Sequence, residues 1–510
     1  MDMDKGSSAS RSLWMSTPMP TWPPLGTGLH TDVCIVGAGI AGLTTAYCLL
    51  RERRRVVVLD DGPPGGGMTE RTTAHLSNMP EKGFVELERL HGRSGARRAV
   101  ESHRAAIDRI EAICRQEQIA CDFLRLHGYL FAGKGQGLEV LDEEREAARR
   151  AGLMAVERLP QAPKAAASLG PCLRIPNQAQ FHPMKYLAGL VEAVRRDGGR
   201  LVKGHVTRVT DGVQPQIETR EGCFVTADAV VVATNTPINN LVSIHTKQAP
   251  YTSYVVGARI PAEAVEAALY WDTLDPYHYV RLHRSSNDGA PLLIVGGEDH
   301  KTGQADDSEQ RYARLEAWGR EHFPMMGTVE YRWSGQVMES IDGLGFIGRN
   351  PSDSGSVYIA TGDCGMGMTH GTIAGMLITD LVVGRPSPWA SLYNPARRTA
   401  VAVGEYVQES LNMAAQYADW VTGGDVPHEK EIPPESGAVL RRGLSKLAVY
   451  RDAQGALHRC SAVCPHLSCI VAWNHSEKTW DCPCHGSRFD RFGTVINGPA
   501  HENLEPVKEE

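Results

Sequence analysis

No run of apolar residues in this sequence is long enough to cross a bilayer as a helix. The start of the chain lacks the basic, apolar and small-residue succession of a secretory signal. Residues 1–30 are instead rich in Ser, Pro, Thr and Met, and are expected to form a loose arm. Neither sign of charge dominates: 53 Lys and Arg stand against 60 Asp and Glu, a net charge of −7. That balance implies no general affinity for nucleic acid. No internal repeat is visible. A cytoplasmic location is the default expectation, and a structural disulfide framework has little use there. At 510 residues the chain is expected to hold two or three domains.

Cysteine is present and unevenly placed. Of 12 cysteines, Cys460, Cys464, Cys469, Cys482 and Cys484 crowd together near the C-terminus, among histidines. Such crowding argues for a metal or redox site. The segments are C-P-H-L-S-C, Cys464 to Cys469, and C-P-C-H-G-S, Cys482 to Ser487. A Cys₂His₂ zinc finger pairs Cys with Cys and His with His along the chain. Here each loop offers one Cys and one His: Cys464 with His466, and Cys482 with His485. That interleaving suits a Rieske [2Fe–2S] centre, in which two thiolates hold one iron and two imidazoles the other.

Residues 434–510 resemble a Rieske domain of the respiratory high-potential type. The resemblance implies a disulfide between Cys469 and Cys484 that braces the cluster, and a hydroxyl at Ser487 bonding a bridging sulfide. It also implies that His466 and His485 form the solvent-facing end, the exit port for electrons. Phe489 departs from the pattern, which has a Tyr there bonding a ligand sulfur. With that hydrogen bond missing, the potential is expected within the Rieske range of roughly −150 to +300 mV but below its top.

A second motif lies near the N-terminus. T-D-V-C-I-V reads as a strand, G-A-G-I-A-G as a glycine turn, Ile40 to Arg53 as a helix, and V-V-V-L-D as a second strand. Glycines at this turn let a pyrophosphate approach the helix N-terminus, and Asp60 is placed to bond a ribose. The candidate nucleotide contacts are Gly37, Gly39, Ile40, Ala41, Gly42, Asp60 and Asp61. Further on, Ala229 to Pro237 forms a buried strand and turn, contributing Ala233 and Thr234. The glycine-rich stretch Tyr358 to Gly371 precedes another helix and contributes Gly362, Gly367, Met368 and Thr369. Backbone N–H groups there suit an anionic flavin edge.

Together these segments resemble the D-amino-acid oxidase superfamily of FAD proteins over about residues 31–390. The implied fold is an α/β FAD-binding Rossmann-like domain with an α+β substrate domain, followed by a small all-β Rieske domain. The substrate part is expected mainly at 84–165 and 245–335, and a connecting helix and Pro-rich linker at 391–433. Thr73 and His75 lie in a T-x-H context similar to that of relatives whose His bonds flavin covalently. Leu76 and Ser77 replace the usual small residues, so packing or hydrogen bonding beside the flavin is the expected role of His75.

Residues 84–165 read mainly as helices. Residues 245–335 read mainly as strands, where Tyr251, Tyr254, Tyr277, His278 and Arg281 are pocket candidates. Asp275, His278 and His283 echo the spacing of a mononuclear iron site. Residues five apart on a strand face opposite ways, which opposes that reading. The resemblance implies an oxidoreductase acting on a small amine or amino acid, with an external one-electron carrier as partner. Two alternatives stay open: a flavin monooxygenase or reductase whose FAD is reduced through the cluster by an outside donor, and a non-catalytic electron-transfer role.

Overall fold

A computed structural model describes residues 9–508, apart from 27, 164–168, 240–243, 285–289, 352, 354 and 400–402. Its N-terminal motif folds as strand β1 (Leu29–Val36), helix α1 (Ile40–Arg51) and strand β2 (Val56–Asp60). The two strands are parallel and buried on both faces, which is why they read as apolar runs without alternation. They lie in a sheet ordered Phe346–Arg349, Val357–Thr361, Phe224–Val232, β1, β2, Arg200–Lys203. Neighbours in that order are parallel except at the Phe346–Arg349 edge, and Val206–Thr210 with Gln216–Thr219 adds an antiparallel pair beside Phe224–Val232. The helix Gly367–Val382 packs on α1, and the approach is close: a β-carbon at Gly375 would stand 2.5 Å from the Thr44 side chain.

A nine-stranded, mostly antiparallel sheet forms the second layer. Val329–Ser340, Gln248–Arg259, Leu292–Lys301 and Tyr279–His283 are neighbours in it. The stretch 84–165 is less helical than its composition suggests. The helix Gly83–Gln116 breaks at Gly92, and two strands, Leu124–Phe131 and Glu157–Leu159, join this sheet. Cys172–Gln180 and His75–Leu76 also belong to it, so the substrate layer draws on more of the chain than the two expected blocks.

The C-terminal part holds two small antiparallel sheets. One is Ser436–Arg442, Ser445–Arg451 and Leu457–Ser461; the other runs from Ala472–Asn474 to Val495–Asn497. No helix among the described residues is long and apolar enough to cross a membrane.

Two expected loose segments are packed. In the N-terminal arm, Trp14 is fully buried and donates from Nε1 to the Thr72 carbonyl at 2.6 Å. Its indole meets His182 and His283 edge-on, and burying so large a ring fixes the arm. In the Pro-rich stretch, Ile432 is buried, and Glu429 accepts two 2.8 Å hydrogen bonds from Arg459. Apolar and ionic anchors thus hold what composition alone marks as linker.

Candidate functional site

The glycine turn is held by backbone crowding. Gly37 has φ +105°, and a β-carbon there would lie 2.4 Å from the Ala233 carbonyl oxygen. At Gly42 a β-carbon would lie 1.9 Å from the Gly37 carbonyl oxygen, so α1 starts hard against the turn. Asp60 ends β2 and accepts from the Ala38 N–H at 2.6 Å and the Gly62 N–H at 2.8 Å. Burial, helped by Asp61, raises its carboxyl to about 6. Replacing Gly42 with Ala is expected to give protein that keeps its iron but retains no flavin, checked by absorbance of the denatured supernatant.

This turn opens onto a cavity of about 1330 Å³ that reaches all three parts of the molecule. Gly37, Gly39, Ile40, Ala41, Asp60 and Asp61 line it, with Thr73, His75, Ala233 and Thr234. Gly367 and Met368 reach it from the start of their helix. Gly42, Gly362 and Thr369 do not form its wall. Gly42 and Gly362 act by close packing, and Thr369 turns its hydroxyl to His103 Nδ1, 2.9 Å away. The cradle that side chains cannot enter, with the acid at the end of β2, fits a dinucleotide.

His75 lies on the cavity wall beside Tyr279, with Thr73 Oγ1 at 3.1 Å from its Nδ1. Its Nε2 is buried and has no hydrogen-bond partner among the described residues. Burial, then Arg281, lowers its pKa to about 3, so the ring is neutral.

The pocket candidates of the second sheet divide by face. Tyr277 and Tyr279 line the cavity; His278 between them stacks on Trp318 at 4.4 Å and bonds Asp272 through Nδ1 at 2.9 Å. Ser253 and Val255 line it too, while Tyr254 points into the opposite core against Tyr312 and His300. Side chains alternate along a strand, so Tyr254 cannot share the cavity with Ser253 and Val255, while His278, just before its strand, is turned away by its bond to Asp272. Tyr251 is likewise off the wall, under the Lys301 ammonium. Arg281 is 1% exposed, and its Nη1 donates to the carbonyls of Thr73, Ala74 and Phe181. It shapes the backbone before His75 and takes no part in the wall. Asp275 is exposed, His278 is buried on Asp272 instead, and His283 packs against Trp14 and His182, so Asp275, His278 and His283 form no common site.

The sequence reading missed a group of acids. Glu81, Asp299 and Asp363 line the cavity. Glu81 Oε2, Asp299 Oδ1 and Asp363 Oδ1 are buried without hydrogen-bond partners among the described residues. Burial, with Glu339 and Asp299 near, holds Glu81 well above the usual carboxylate range. Burial likewise raises Asp299 and Glu339 to about 7 and Asp363 to about 6. The signal available in the sequence was charge inside strand-like runs, as in L-L-I-V-G-G-E-D.

In the C-terminal part the two loops converge. Cys469 and Cys484 form a disulfide, with Cα atoms 6.4 Å apart. Cys464 and Cys482 are buried, and His466 and His485 lie ring to ring at 4.8 Å. Both ring nitrogens of His485 are buried with no hydrogen-bond partner among the described residues, as befits a side chain whose partner is a metal. Burial, then His466, lowers its pKa to about 3, the neutral form that ligation needs. Ser487 is fully buried and accepts from the Ala500 N–H at 3.0 Å, leaving its own proton for the cluster side. Two thiols and two imidazoles brought to one place fit a Rieske cluster.

The imidazole end faces the rest of the molecule, with His485 buried and His466 half-buried. It packs against His245 of the oxidoreductase part, at ring distances of 4.9 Å from His466 and 5.8 Å from His485. The reason is docking: Gln336 donates to the Gly486 carbonyl at 2.9 Å, and Gly486 sits so close to Pro250 that a β-carbon would be 2.6 Å away. Pro465 and Ser468, by contrast, are exposed.

A glycine-turn nucleotide fold, an enclosed cavity and a two-Cys, two-His centre define a flavoprotein oxidoreductase with a Rieske centre of its own. The chain belongs to the FAD dependent oxidoreductase family (DAO), whose model matches residues 32–381, and carries a Rieske [2Fe-2S] domain matched at 423–508. Its cofactors are therefore FAD and a [2Fe–2S] cluster. It is 31% identical to the Rieske 2Fe-2S iron-sulfur protein YhfW of Bacillus subtilis (strain 168), over 98% of this chain and 97% of that protein. The cytochrome b6-f complex iron-sulfur subunit of Synechococcus elongatus is 30% identical over 28% of this chain and 73% of its own. Glycine oxidase from Geobacillus kaustophilus shares the fold, with a TM-score of 0.60 and 19% identity over 72% of this chain and 99% of its own. A small-molecule substrate and an electron carrier follow from these two folds.

Proposed function

We propose that this enzyme oxidises a C–N bond of an amine or amino acid and delivers the electrons, one at a time, to an external one-electron carrier. The observation that supports this best is the single cavity walled by the glycine turn, by Tyr277, Tyr279 and Asp299 of the second sheet, and by Asn497 and Gly498 of the Rieske part. FAD supplies hydride acceptance, and the cluster passes electrons singly. The ammonium form of the substrate first gives a proton to a cavity carboxylate such as Asp299; loss of a hydride from the carbon beside the nitrogen then leaves an iminium, which water hydrolyses to a carbonyl compound, releasing ammonia or an amine and a proton. The substrate's two electrons leave in two single steps.

Glu81, Asp299 and Asp363 favour an ammonium-bearing substrate, because an ionised carboxylate in a dry cavity needs a cation beside it. Tyr277 and Tyr279 wall the reacting region against water. We infer Gly37, Gly39, Asp60, Ala233, Thr234, Gly367 and His75 as FAD contacts, and Cys464, His466, Cys482 and His485 as cluster ligands.

Anaerobic mixing with a panel of amines, N-methylated amino acids and D-amino acids tests the reading. Bleaching of the flavin followed by the reduced cluster spectrum is expected. Reduction seen only with an outside donor would reverse the direction of flow. The pH dependence has a defined sign. Asp299 and Glu339 sit at about 7, above their ordinary values of 3.8 and 4.5. Their contribution to stability is complete below those ordinary values and is lost as pH rises through about 7. The melting temperature without substrate is expected to fall from pH 5 to pH 8, and a short aliphatic diamine to reduce that fall. KM for an amine is expected to fall over the same interval.

A further inference from the structure

We propose that His245 is a positioning residue that holds the two imidazole ligands of the cluster, and that the seam it occupies is the electron connection between the two halves of the molecule. His245 is fully buried in the short turn His245–Lys247, just before the strand Gln248–Arg259. Its Nε2 lies 3.1 Å from the Pro237 carbonyl, and with the proton on that nitrogen it donates there. Pro237 closes the turn that leaves the parallel sheet, and Ala233, Thr234 and Asn235 of that turn line the cavity. On the other side the His245 ring meets His466 at 77° and His485 at 72°, both edge to face. Three imidazoles therefore pack mutually, with the outer one tied to the backbone of the nucleotide fold.

This arrangement has two physical consequences. Groups that orient the imidazoles of a metal site tune its electronic structure, and their loss typically costs 10–100-fold in affinity or activity. The contacts also leave the imidazole end no room to leave its place. Gly486 beside His485 abuts Pro250, Gln336 bonds its carbonyl, and Asn497 Nδ2 donates to Gln336 Oε1 at 2.5 Å. Electrons cross a closed contact, and no swing of the Rieske part is needed. The inference rests on the ligation proposed above, but on neither the substrate nor the direction of flow.

The test uses the full holoenzyme and compares His245→Ala and His245→Gln with the unaltered protein. Gln keeps an N–H for Pro237 and removes the ring. FAD and iron content are measured first. Then the reduced cluster's electron paramagnetic resonance spectrum is recorded, and a laser pulse delivers one electron from a photosensitiser while both chromophores are followed. The expected result for both variants is a shift in g-values and at least a tenfold slowing of flavin–cluster equilibration. Direct reduction by dithionite is expected to stay complete. Unchanged g-values and an unchanged equilibration rate in the Gln variant overturn the proposal. Should His245→Ala lose iron, the Gln variant alone decides. A spectrum without Rieske character in the unaltered protein would refute the ligation, a separate failure.

Discussion

Cys482→Ser is expected to strip the iron from the protein while leaving its flavin in place. Cys482 is 2% exposed, and the loop it begins also carries Cys484, His485 and Ser487. A serine oxygen at that position cannot replace a thiolate, and the remaining three ligands cannot hold two irons. The loop itself should survive, because Cys469–Cys484 still ties it to its partner. The Gly37 turn lies in a separate sheet, so FAD content should be near one per chain. Substrate should then bleach the flavin under anaerobic conditions at close to the original rate. Turnover with a one-electron acceptor should fall by more than about 100-fold, beyond the usual cost of losing a group that only supports a ligand. Iron assay, flavin assay and stopped-flow absorbance check these three points separately. Persistent turnover with the acceptor would mean that electrons bypass the cluster.

The second large effect concerns the seam between the two halves. Glu477, in the Rieske part, has a fully buried side chain 3.4 Å from Arg71 of the nucleotide-binding part. It also accepts from the hydroxyls of Ser10 and Ser334, both at 2.5 Å. Burial pushes this carboxyl up, but Arg71, Arg488 and the two hydroxyls outweigh it and bring it to about 2. Glu477→Ala leaves the Arg71 guanidinium buried beside a void, still bonded to the Ser334 and Ser10 carbonyls. Removing one partner of a buried pair costs about 3–5 kcal/mol. The expected result is a lower melting temperature and faster proteolysis between the two halves, with each half still holding its cofactor. Because the native value lies below the ordinary 4.5, this contribution is present above about pH 4.5 and is lost as pH falls toward 2. Differential scanning calorimetry between pH 3 and pH 7 reads that slope, which Glu477→Gln should flatten.

What could be read without coordinates was local. Metal ligands and phosphate loops need particular residue types a few positions apart, because a short loop must present them together. That Cys464, His466, Cys482 and His485 would come together, and that a tight turn would run from Gly37 to Gly42 beside Asp60, was legible for that reason. The second sheet was harder. Its tyrosines and histidines occur on adjacent positions, and only the pleat and the contacts just outside the strands decide which face the cavity. Tyr277 and Tyr279 do; His278 and Tyr254 do not. Arg281 read as a pocket residue, yet its three carbonyl partners come from distant segments.

The chemistry of each half was thus determined by the sequence itself, since order and spacing select the cofactor that a loop can hold. Their relation was decided only by tertiary structure. His245 is some 220 positions from His466, and Arg71 some 400 from Glu477. No local pattern encodes such pairs, because they exist only when two separately folded surfaces meet. The meeting turns the cluster's imidazole end toward the flavin half, and closes a cavity whose acids, Glu81, Asp299 and Asp363, come from three separate stretches of chain.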